Sequence, residues 1–331
     1  MHREGKRVHE VIEAWAAKRG FAPAWGHPDV LEQVRCDIAE RQRNREFDPV
    51  FYENALSKAF SYGPKGPVEE VKSVLLLAIP RPAHSLLFET EQGLLRAAVP
   101  PTYVSNESIS NRCLQEIRAL VGPDYHFEEM GAPKKSVAAR AGLISYGRNN
   151  ITYTPQFGSY LQLAGFLTDF DPSEHGGPPP SFQEPRVMDR CENCHICRNA
   201  CPSGAIAEDR FLLHAEMCLT FLNEYHVPWP AWLPRGAHNC IVGCMKCQQC
   251  CPANKDLLTT VELPETFTVE ETRAILAEGE AWIDGTVVRP PVPKTSRTGP
   301  VWDEIRAKLE RVGLPGMDDV IGRNLRVLTP G

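Results

Sequence analysis

Four cysteines lie close together in the stretch CENCHICRNACP, at Cys191, Cys194, Cys197 and Cys201. The spacing C-x2-C-x2-C-x3-C-P is typical of two-cluster ferredoxins, in which three thiolates hold one [4Fe-4S] cluster and the fourth crosses to the other. Structural zinc sites usually show two separated C-x2-C pairs instead. The motif therefore predicts iron–sulfur clusters rather than zinc.

A second group of cysteines repeats much of this pattern downstream, in the stretch GCMKCQQCCP. By the same crossing of ligands, Cys251 would complete the first cluster, and the second would hold Cys201, Cys244 and Cys247. Spacing leaves the fourth ligand of the second cluster open, because Cys250 also forms a rival C-x2-C-x2-C frame. The candidates are Cys218, Cys240 and Cys250.

The composition is that of a globular protein, with 42% hydrophobic and 24% charged residues and a net charge of -6. The stretch MHREGKRVHEVIEAWAAKRG reads as an amphipathic helix rather than a signal peptide, and no apolar run is long enough to span a bilayer. We therefore expect a cytoplasmic protein with no membrane partner, in which clustered thiols bind metal. Cys36 and Cys113 lie far from the clusters and are predicted to be ordinary buried thiols.

The long region before the cysteines has the pattern of an α/β domain. The stretch VKSVLLLAIP (71–80) predicts a buried strand, and residues 107–122 predict a helix closed by Gly122 and Pro123. Residues 134–170 predict a helix, a Gly-rich turn, a short strand, a turn and a second strand. Their glycines either admit a flat or phosphorylated ligand or serve turns without a ligand.

Several of these stretches together resemble the epoxyqueuosine reductases. The resemblance rests on AARAGLISYGRNNI, QFGSYLQLAGFLTD, CENCHICRNACPSGAI, Cys218 and GCMKCQQCCP, in unbroken order over about residues 70–260. These enzymes are cobalamin-dependent, carry two [4Fe-4S] clusters and are related to the reductive dehalogenases. The resemblance implies an α/β (α+β) cobalamin-binding domain of nitroreductase-like type over 1–180, and a ferredoxin-like double [4Fe-4S] domain over 181–262. A helical and Pro-rich tail over 263–331 would be a remnant of a helical-repeat module.

The resemblance also implies a ligand set for each cluster. One cluster would be held by Cys191, Cys194, Cys197 and Cys251. The other would be held by Cys201, Cys218, Cys244 and Cys247. Cys240 and Cys250 have no role in this frame.

By the same resemblance, base-off cobalamin would bind a loop and a turn of the upstream domain. The residues implied are Gly142, Leu143, Tyr146, Gly147, Arg148, Asn149, Asn150, Ile151, Gly158 and Ser159. Gly147 would leave room for the macrocycle, while Arg148, Asn149 and Asn150 would reach its peripheral amides or its lower-base tail. Electrons from a low-potential ferredoxin or flavodoxin would pass through both clusters to the cobalt, which must reach its cob(I) state.

Three residues are candidate proton donors. Glu128 lies where the family has an Asp, and a carboxyl there can act as a general acid, although Glu128 and Glu129 can equally form a solvated surface pair. Tyr146 and Tyr153 are the alternatives, either as donors or as packing residues. His126, in DYHFEEMG, begins like a cobalt-binding motif but has Glu129 in place of the required glycine, so we expect a polar loop residue.

Three functions are consistent with these features. The favoured one is a cobalamin- and [4Fe-4S]-dependent reductase of a small organic substrate, and the second is an epoxyqueuosine reductase acting on tRNA. The third is a corrinoid-free iron–sulfur electron-transfer protein. Transfer RNA is disfavoured because the balance of charge is acidic. The stretch MDDVIGRNLRVLTPG also resembles only the first helix of the family's basic C-terminal module, and a Pro-rich linker (289–301) precedes it.

Overall fold

The computed structural model describes residues 8–224, 229–278, 282–283, 286–287 and 297–329. The α-helices are α1 (Val8–Lys18), α2 (Asp29–Arg43), α3 (Pro49–Phe51), α4 (Asn106–Val121), α5 (Lys134–Arg140), α6 (Ile196–Ala200), α7 (Leu219–Glu224), α8 (Lys246–Gln249), α9 (Val269–Glu278), α10 (Pro300–Arg311) and α11 (Ile321–Leu328). The strands are β1 (Ala22–Gly26), β2 (Ser73–Pro80), β3 (Ala83–Thr90), β4 (Gly93–Val99), β5 (Phe127–Glu129), β6 (Ser145–Tyr146), β7 (Thr152–Tyr153), β8 (Leu161–Thr168), β9 (Thr260–Phe267), β10 (Trp282–Ile283) and β11 (Thr286–Val287). None of the described helices has the length and apolar character needed to cross a membrane.

The chain divides into two compact units, and each is built from two separate stretches. Unit 1 contains Met1–Arg81 and Glu107–Cys194, whereas unit 2 contains Pro82–Asn106 and His195–Gly331. This division differs from the three consecutive segments predicted, because the β3–β4 hairpin and the C-terminal helices share one core with the cysteine-rich region.

Unit 1 is built around a four-stranded antiparallel sheet in the order β1-β2-β8-β5. The apolar run of β2 is buried along almost its whole length, with Leu76 opposite Gly165 of β8. Helices α1 and α4 cover the sheet through Ile12 and Ile117, both fully buried. The predicted strand and the predicted helix over 107–122 are confirmed, whereas residues 134–170 contain two short strands, β6 and β7, where one short strand was predicted. Because neighbouring strands run antiparallel, unit 1 is of the α+β kind.

Unit 2 is built around the sheet β4-β3-β9, in which β3 pairs antiparallel with β4 and parallel with β9. Phe88 and Phe267 stack in its core with ring centroids 4.8 Å apart. The buried residues Trp302 of α10 and Leu325 of α11 belong to the same core as Ile241, which precedes the second cysteine group. The predicted C-terminal tail is therefore part of unit 2. Residues 289–296 of the predicted linker lie outside the described residues.

The two isolated cysteines differ from one another. Cys113 is buried in the core of unit 1, as predicted, whereas Cys36 is exposed on α2. The prediction for Cys36 is wrong because α2 turns Val30, Leu31 and Val34 toward the protein, and a residue six positions after Val30 faces away from that side of a helix.

Candidate functional site

Four thiols of unit 2 lie close enough together to interact electrostatically. They belong to Cys201, Cys218, Cys244 and Cys247. Burial is the main cause that raises the pKa of Cys218, Cys244 and Cys247, and the neighbouring thiolates of the group raise the pKa of each further. Neutral thiols are thus favoured in the absence of metal, whereas iron would offset the repulsion between thiolates. These thiols include the set that the resemblance gives to the second cluster, and Cys247 also interacts with Cys197, which the resemblance gives to the first.

The other four cysteines of the frame are divided between the units. In unit 1, Cys191 ends a short 3-10 turn, and the backbone N–H of Cys194 donates to the Cys191 carbonyl at 3.4 Å. In unit 2, Cys197 lies within α6, and Cys251 precedes the 3-10 turn Pro252–Asn254. In the described part of the chain, no three His, Cys, Asp or Glu side chains form a group suited to a single metal ion.

The two spare cysteines make other contacts. The Cys240 thiol is 1% exposed and donates to Asn239 Oδ1 at 3.2 Å. Burial raises the pKa of Cys240, and the nearby Cys244 raises it further. The Cys250 thiol lies 3.7 Å from the Cys247 carbonyl oxygen. These contacts favour the ligand set with Cys218, because that thiol lies among the other three instead.

The side chain of Asn239 binds the sulfur of Cys244 directly. Its Nδ2 lies 3.2 Å from Cys244 Sγ, and its Oδ1 accepts from the backbone N–H of Met245 at 2.9 Å. Hydrogen bonds to cluster sulfurs raise the reduction potential of a bound cluster, since they stabilise its more negative state. The spacing of the cysteines did not predict a role for Asn239, because an asparagine next to a cysteine is common.

Two buried asparagines hold the segments that carry Cys218 and Cys244. Asn324 of α11 donates through Nδ2 to the carbonyls of Asn223 at 2.8 Å and Ile241 at 2.7 Å. Asn223 in turn exchanges two hydrogen bonds with the backbone of Gly243, at 2.6 and 2.7 Å. Helix α11 thereby fixes the cysteine segments of unit 2, which the sequence did not indicate.

Arg148 of unit 1 binds the turn that contains Cys191 and Cys194. Its Nε donates to the Cys194 carbonyl at 3.0 Å, and one terminal nitrogen donates to the carbonyls of Cys191 at 2.6 Å and Glu192 at 3.1 Å. In this structure the guanidinium of Arg148 hydrogen-bonds the cysteine turn, and its contact with corrinoid amides stays a prediction.

The three candidate proton donors have distinct surroundings. Glu128 is buried on β5, where its two carboxylate oxygens accept from the backbone N–H groups of Lys65 at 2.6 Å, Gly66 at 2.9 Å and Val68 at 3.2 Å. The interpretation as a solvated surface pair is therefore wrong. Since its oxygens are already engaged, Glu128 anchors the loop 65–68.

The two tyrosines lie in neighbouring short strands of unit 1. The hydroxyl of Tyr153 accepts from Asn149 Nδ2 at 2.9 Å, and this tyrosine is 2% exposed. Tyr146 is also buried, which raises its pKa, while a hydrogen bond with Ser136 and the nearby Arg41 and Arg140 act in the opposite direction. Asp37, in contrast, raises the pKa of Tyr146 further.

His126 binds a carboxylate of the same unit. Its ring nitrogen Nδ1 lies 2.8 Å from Asp169 Oδ2, and its backbone N–H donates to Asp169 Oδ1 at 2.8 Å. The imidazole is half exposed. His126 is a polar surface residue, as predicted.

Comparisons with known proteins identify the family. Residues 190–254 match a profile described as a 4Fe-4S double cluster binding domain. The epoxyqueuosine reductase of Lactococcus garvieae is 30% identical over 270 residues, which cover 76% of this chain and 71% of that protein. This chain belongs to the epoxyqueuosine reductase family. The members of that family are oxidoreductases.

Other members of the family match over a shorter sequence alignment or by structure. The alignment with the Bacillus subtilis epoxyqueuosine reductase is 34% identical over 121 residues and covers 37% of this chain but only 29% of that protein. The solved structure of that reductase matches with a TM-score of 0.66 at 19% identity, over 97% of this chain and 81% of that one. An epoxyqueuosine reductase bound to a tRNA-Tyr stem loop matches equally, with a TM-score of 0.66 at 19% identity over 97% of this chain and 80% of that one. At these identities the structural likeness is one of fold.

The glycines of the loop expected to bind corrinoid pack against protein side chains in this structure. A Cβ on Gly147 would lie 2.5 Å from Asn149 Oδ1 and 2.6 Å from Tyr153 Cε2. A Cβ on Gly142 would lie 2.4 Å from Gln183 Nε2. Packing against Asn149 and Tyr153 is thus sufficient to require a glycine at position 147, and its role toward a macrocycle stays a prediction.

The remaining residues of the expected corrinoid site also have structural roles. Asn149 is 2% exposed, and its Oδ1 accepts from the backbone N–H of Ile151 at 3.2 Å, so it packs inside the loop rather than toward a ligand. Asn150 has a left-handed φ of 58°, which asparagine tolerates well, and closes a turn onto the Gly147 carbonyl. Gly158, with φ 54°, exchanges backbone hydrogen bonds with Thr154. Leu143 and Ser159 flank these turns, half-buried and buried respectively. These side chains make their contacts within the protein, and binding of corrinoid by this set stays a prediction.

Proposed function

We propose that this member of the epoxyqueuosine reductase family is a reductase in which two [4Fe-4S] clusters pass single electrons to a catalytic centre. The observation that carries the proposal is the group of four electrostatically interacting thiols in unit 2, within the segment that matches a double-cluster domain. Partly buried thiolates that repel one another are stabilised by iron, and few other ligands would justify bringing them together.

We assign the cluster ligands as the resemblance gives them. The first cluster takes Cys191, Cys194, Cys197 and Cys251, and the second takes Cys201, Cys218, Cys244 and Cys247. Protein purified without oxygen should contain about eight irons and eight sulfides per chain. Stoichiometric zinc with no charge-transfer absorption would overturn the assignment.

Cobalamin in the base-off form is the proposed catalytic cofactor, on the strength of the family alone. When bound, it would supply a strongly reducing cobalt centre that the clusters recharge. The side chains expected to hold it are engaged by protein atoms, so we derive no step through it. Protein produced with cobalamin present should show corrinoid absorption bands beyond the broad cluster absorption. Their absence, with both clusters present, would instead indicate a corrinoid-free electron-transfer protein.

Tyr146 is the proposed proton donor. Burial raises its pKa, so the hydroxyl carries its proton at neutral pH, and Arg41 and Arg140 would stabilise the tyrosinate left after donation. Glu128 and Tyr153 are tied to backbone and side-chain partners respectively. Tyr146→Phe should lower the turnover number while leaving iron content unchanged, and Tyr153→Phe serves as the matched control. Equal loss in both variants would argue for packing roles.

A small organic molecule is the proposed substrate, with a low-potential ferredoxin or flavodoxin as electron donor. The net charge of -6 favours this class, since polyanion binding gains from a basic surface. Epoxyqueuosine in tRNA is the second candidate, supported by the similar reductase whose structure contains a tRNA stem loop. A gel shift with epoxyqueuosine-containing and unmodified tRNA at low salt separates the two, because binding selective for the modified tRNA would favour the second.

A further inference from the structure

The side chain of Arg148 binds the turn between Cys191 and Cys194, and we call its hydrogen bonds to this turn the clasp. Three carbonyls of this turn, from Cys191, Glu192 and Cys194, converge on the guanidinium of Arg148 at 2.6 to 3.1 Å. Guanidinium is planar and presents several donors in a fixed arrangement, so a single Arg can hold carbonyls that a Lys would meet only one at a time. The clasp therefore fixes the backbone between two proposed ligands.

The backbone around Arg148 is itself rigid. Gly147 donates to the Ile151 carbonyl at 2.8 Å and accepts from Asn150 at 2.9 Å, which closes the loop on both sides of Arg148. The preceding residue, Tyr146, accepts from the N–H of Met188 at 2.8 Å and donates to the Arg186 carbonyl at 2.7 Å. The backbone that carries the arginine is thus held in position, and little backbone entropy remains to be lost when its side chain meets the cysteine turn.

The clasp also brings a positive charge to the cysteine turn. The partners described for the Arg148 guanidinium are carbonyl oxygens, which leave its charge unneutralised. A [4Fe-4S] cluster becomes more negative when it accepts an electron, and a nearby cation stabilises that reduced state. Partial burial limits the screening of this interaction by solvent and salt.

We infer that Arg148 is a positioning residue for the cluster that Cys191 and Cys194 would ligate, and that its charge raises the reduction potential of that cluster. This inference rests on the proposed function. It assigns the loop 146–151 to holding the first cluster, in place of the corrinoid contacts expected from the sequence. It requires only one-electron reduction of the cluster, with dithionite as the reductant in the test.

The test compares anaerobically reconstituted holoprotein with three variants, by redox titration followed with electron paramagnetic resonance. In Arg148→Gln the potential of one cluster should become more negative, while that of the other stays unchanged as an internal control. In Arg148→Lys the potential should stay close to wild type, but the same cluster should be lost faster to an iron chelator. Arg190→Gln removes the same charge from an exposed position next to Cys191 and should change neither property.

The outcomes separate this inference from the proposal on which it depends. If wild-type protein holds no iron–sulfur cluster, the proposed function fails. If wild type holds two clusters and Arg148→Gln keeps both potentials and the wild-type rate of iron loss, only the role of Arg148 is refuted. If Arg148→Gln does not fold by circular dichroism, Arg148→Lys decides, since an unchanged rate of iron loss in that variant contradicts the clasp.

Discussion

Removal of the Asn324 side chain should loosen the cysteine-bearing segments of unit 2. In Asn324→Ala the carbonyls of Asn223 and Ile241 lose donors at 2.8 and 2.7 Å, inside a region where Asn324 is 1% exposed. A buried acceptor left without a donor costs ~1–3 kcal/mol, so the two together predict a loss of about 2–6 kcal/mol in the free energy of unfolding. That is a large part of the ~5–15 kcal/mol typical of a domain.

The loss should also reach the second proposed cluster, because Asn223 lies in the helix after Cys218 and binds the residue before Cys244. Urea denaturation followed by circular dichroism, with iron counted on the same anaerobic samples, measures both effects. Asn324→Asp keeps the shape without the donor and should behave similarly. The exposed Asn44→Ala is the control. A fall of less than ~0.5 kcal/mol with iron content unchanged would refute the reasoning, since that is the range of ordinary surface substitutions.

Three further predictions concern single residues. Cys218→Ala should halve the iron content whereas Cys250→Ala should keep it, and the reverse result would establish the rival ligand frame. Gly147→Val should unfold the loop of unit 1, seen as greater proteolysis, because its side chain would strike Asn149; a variant as resistant as wild type would contradict the packing. Burial lowers the pKa of His238 to about 4. Between about pH 6.5 and 4 the unfolded chain then binds a proton that the folded chain does not. The free energy of unfolding should therefore decrease as the pH is lowered through this range. The decrease, measured from urea midpoints, should be smaller in His238→Gln, and an equal decrease in both proteins would contradict this.

The regular elements of unit 1 could be predicted because their signals are local. The strand β2 is an unbroken apolar run ending in Pro80, and α4 has helical periodicity closed by Gly122, which adopts a left-handed φ of 79°. The division into units could not be predicted in this way. It depends on the pairing of β3 with β9, which lies far along the chain, and no residue of either strand indicates which strand it pairs with.

The candidate site shows the same contrast. Cysteine spacing was informative, because cluster geometry constrains the residues between ligands. The bonds of Arg148, Asn223 and Asn324 described above end on backbone carbonyl and N–H groups, which nearly every residue possesses, so no sequence pattern marks them. The glycines are ambiguous for a related reason: a small residue can serve a nearby ligand or, as at Gly147, a nearby side chain of the same loop.

The composite make-up of unit 2 has a consequence for synthesis of the protein. Its core combines the β3–β4 hairpin with Leu325 of α11, so it needs residues from both ends of a long stretch of chain. During translation the cysteine motifs would leave the ribosome well before α11, and domains generally fold as units once complete. The thiols should therefore remain exposed at first, and iron delivery is expected to follow the emergence of α11. A brief encounter with oxygen during that interval would oxidise cysteines that the finished protein shields.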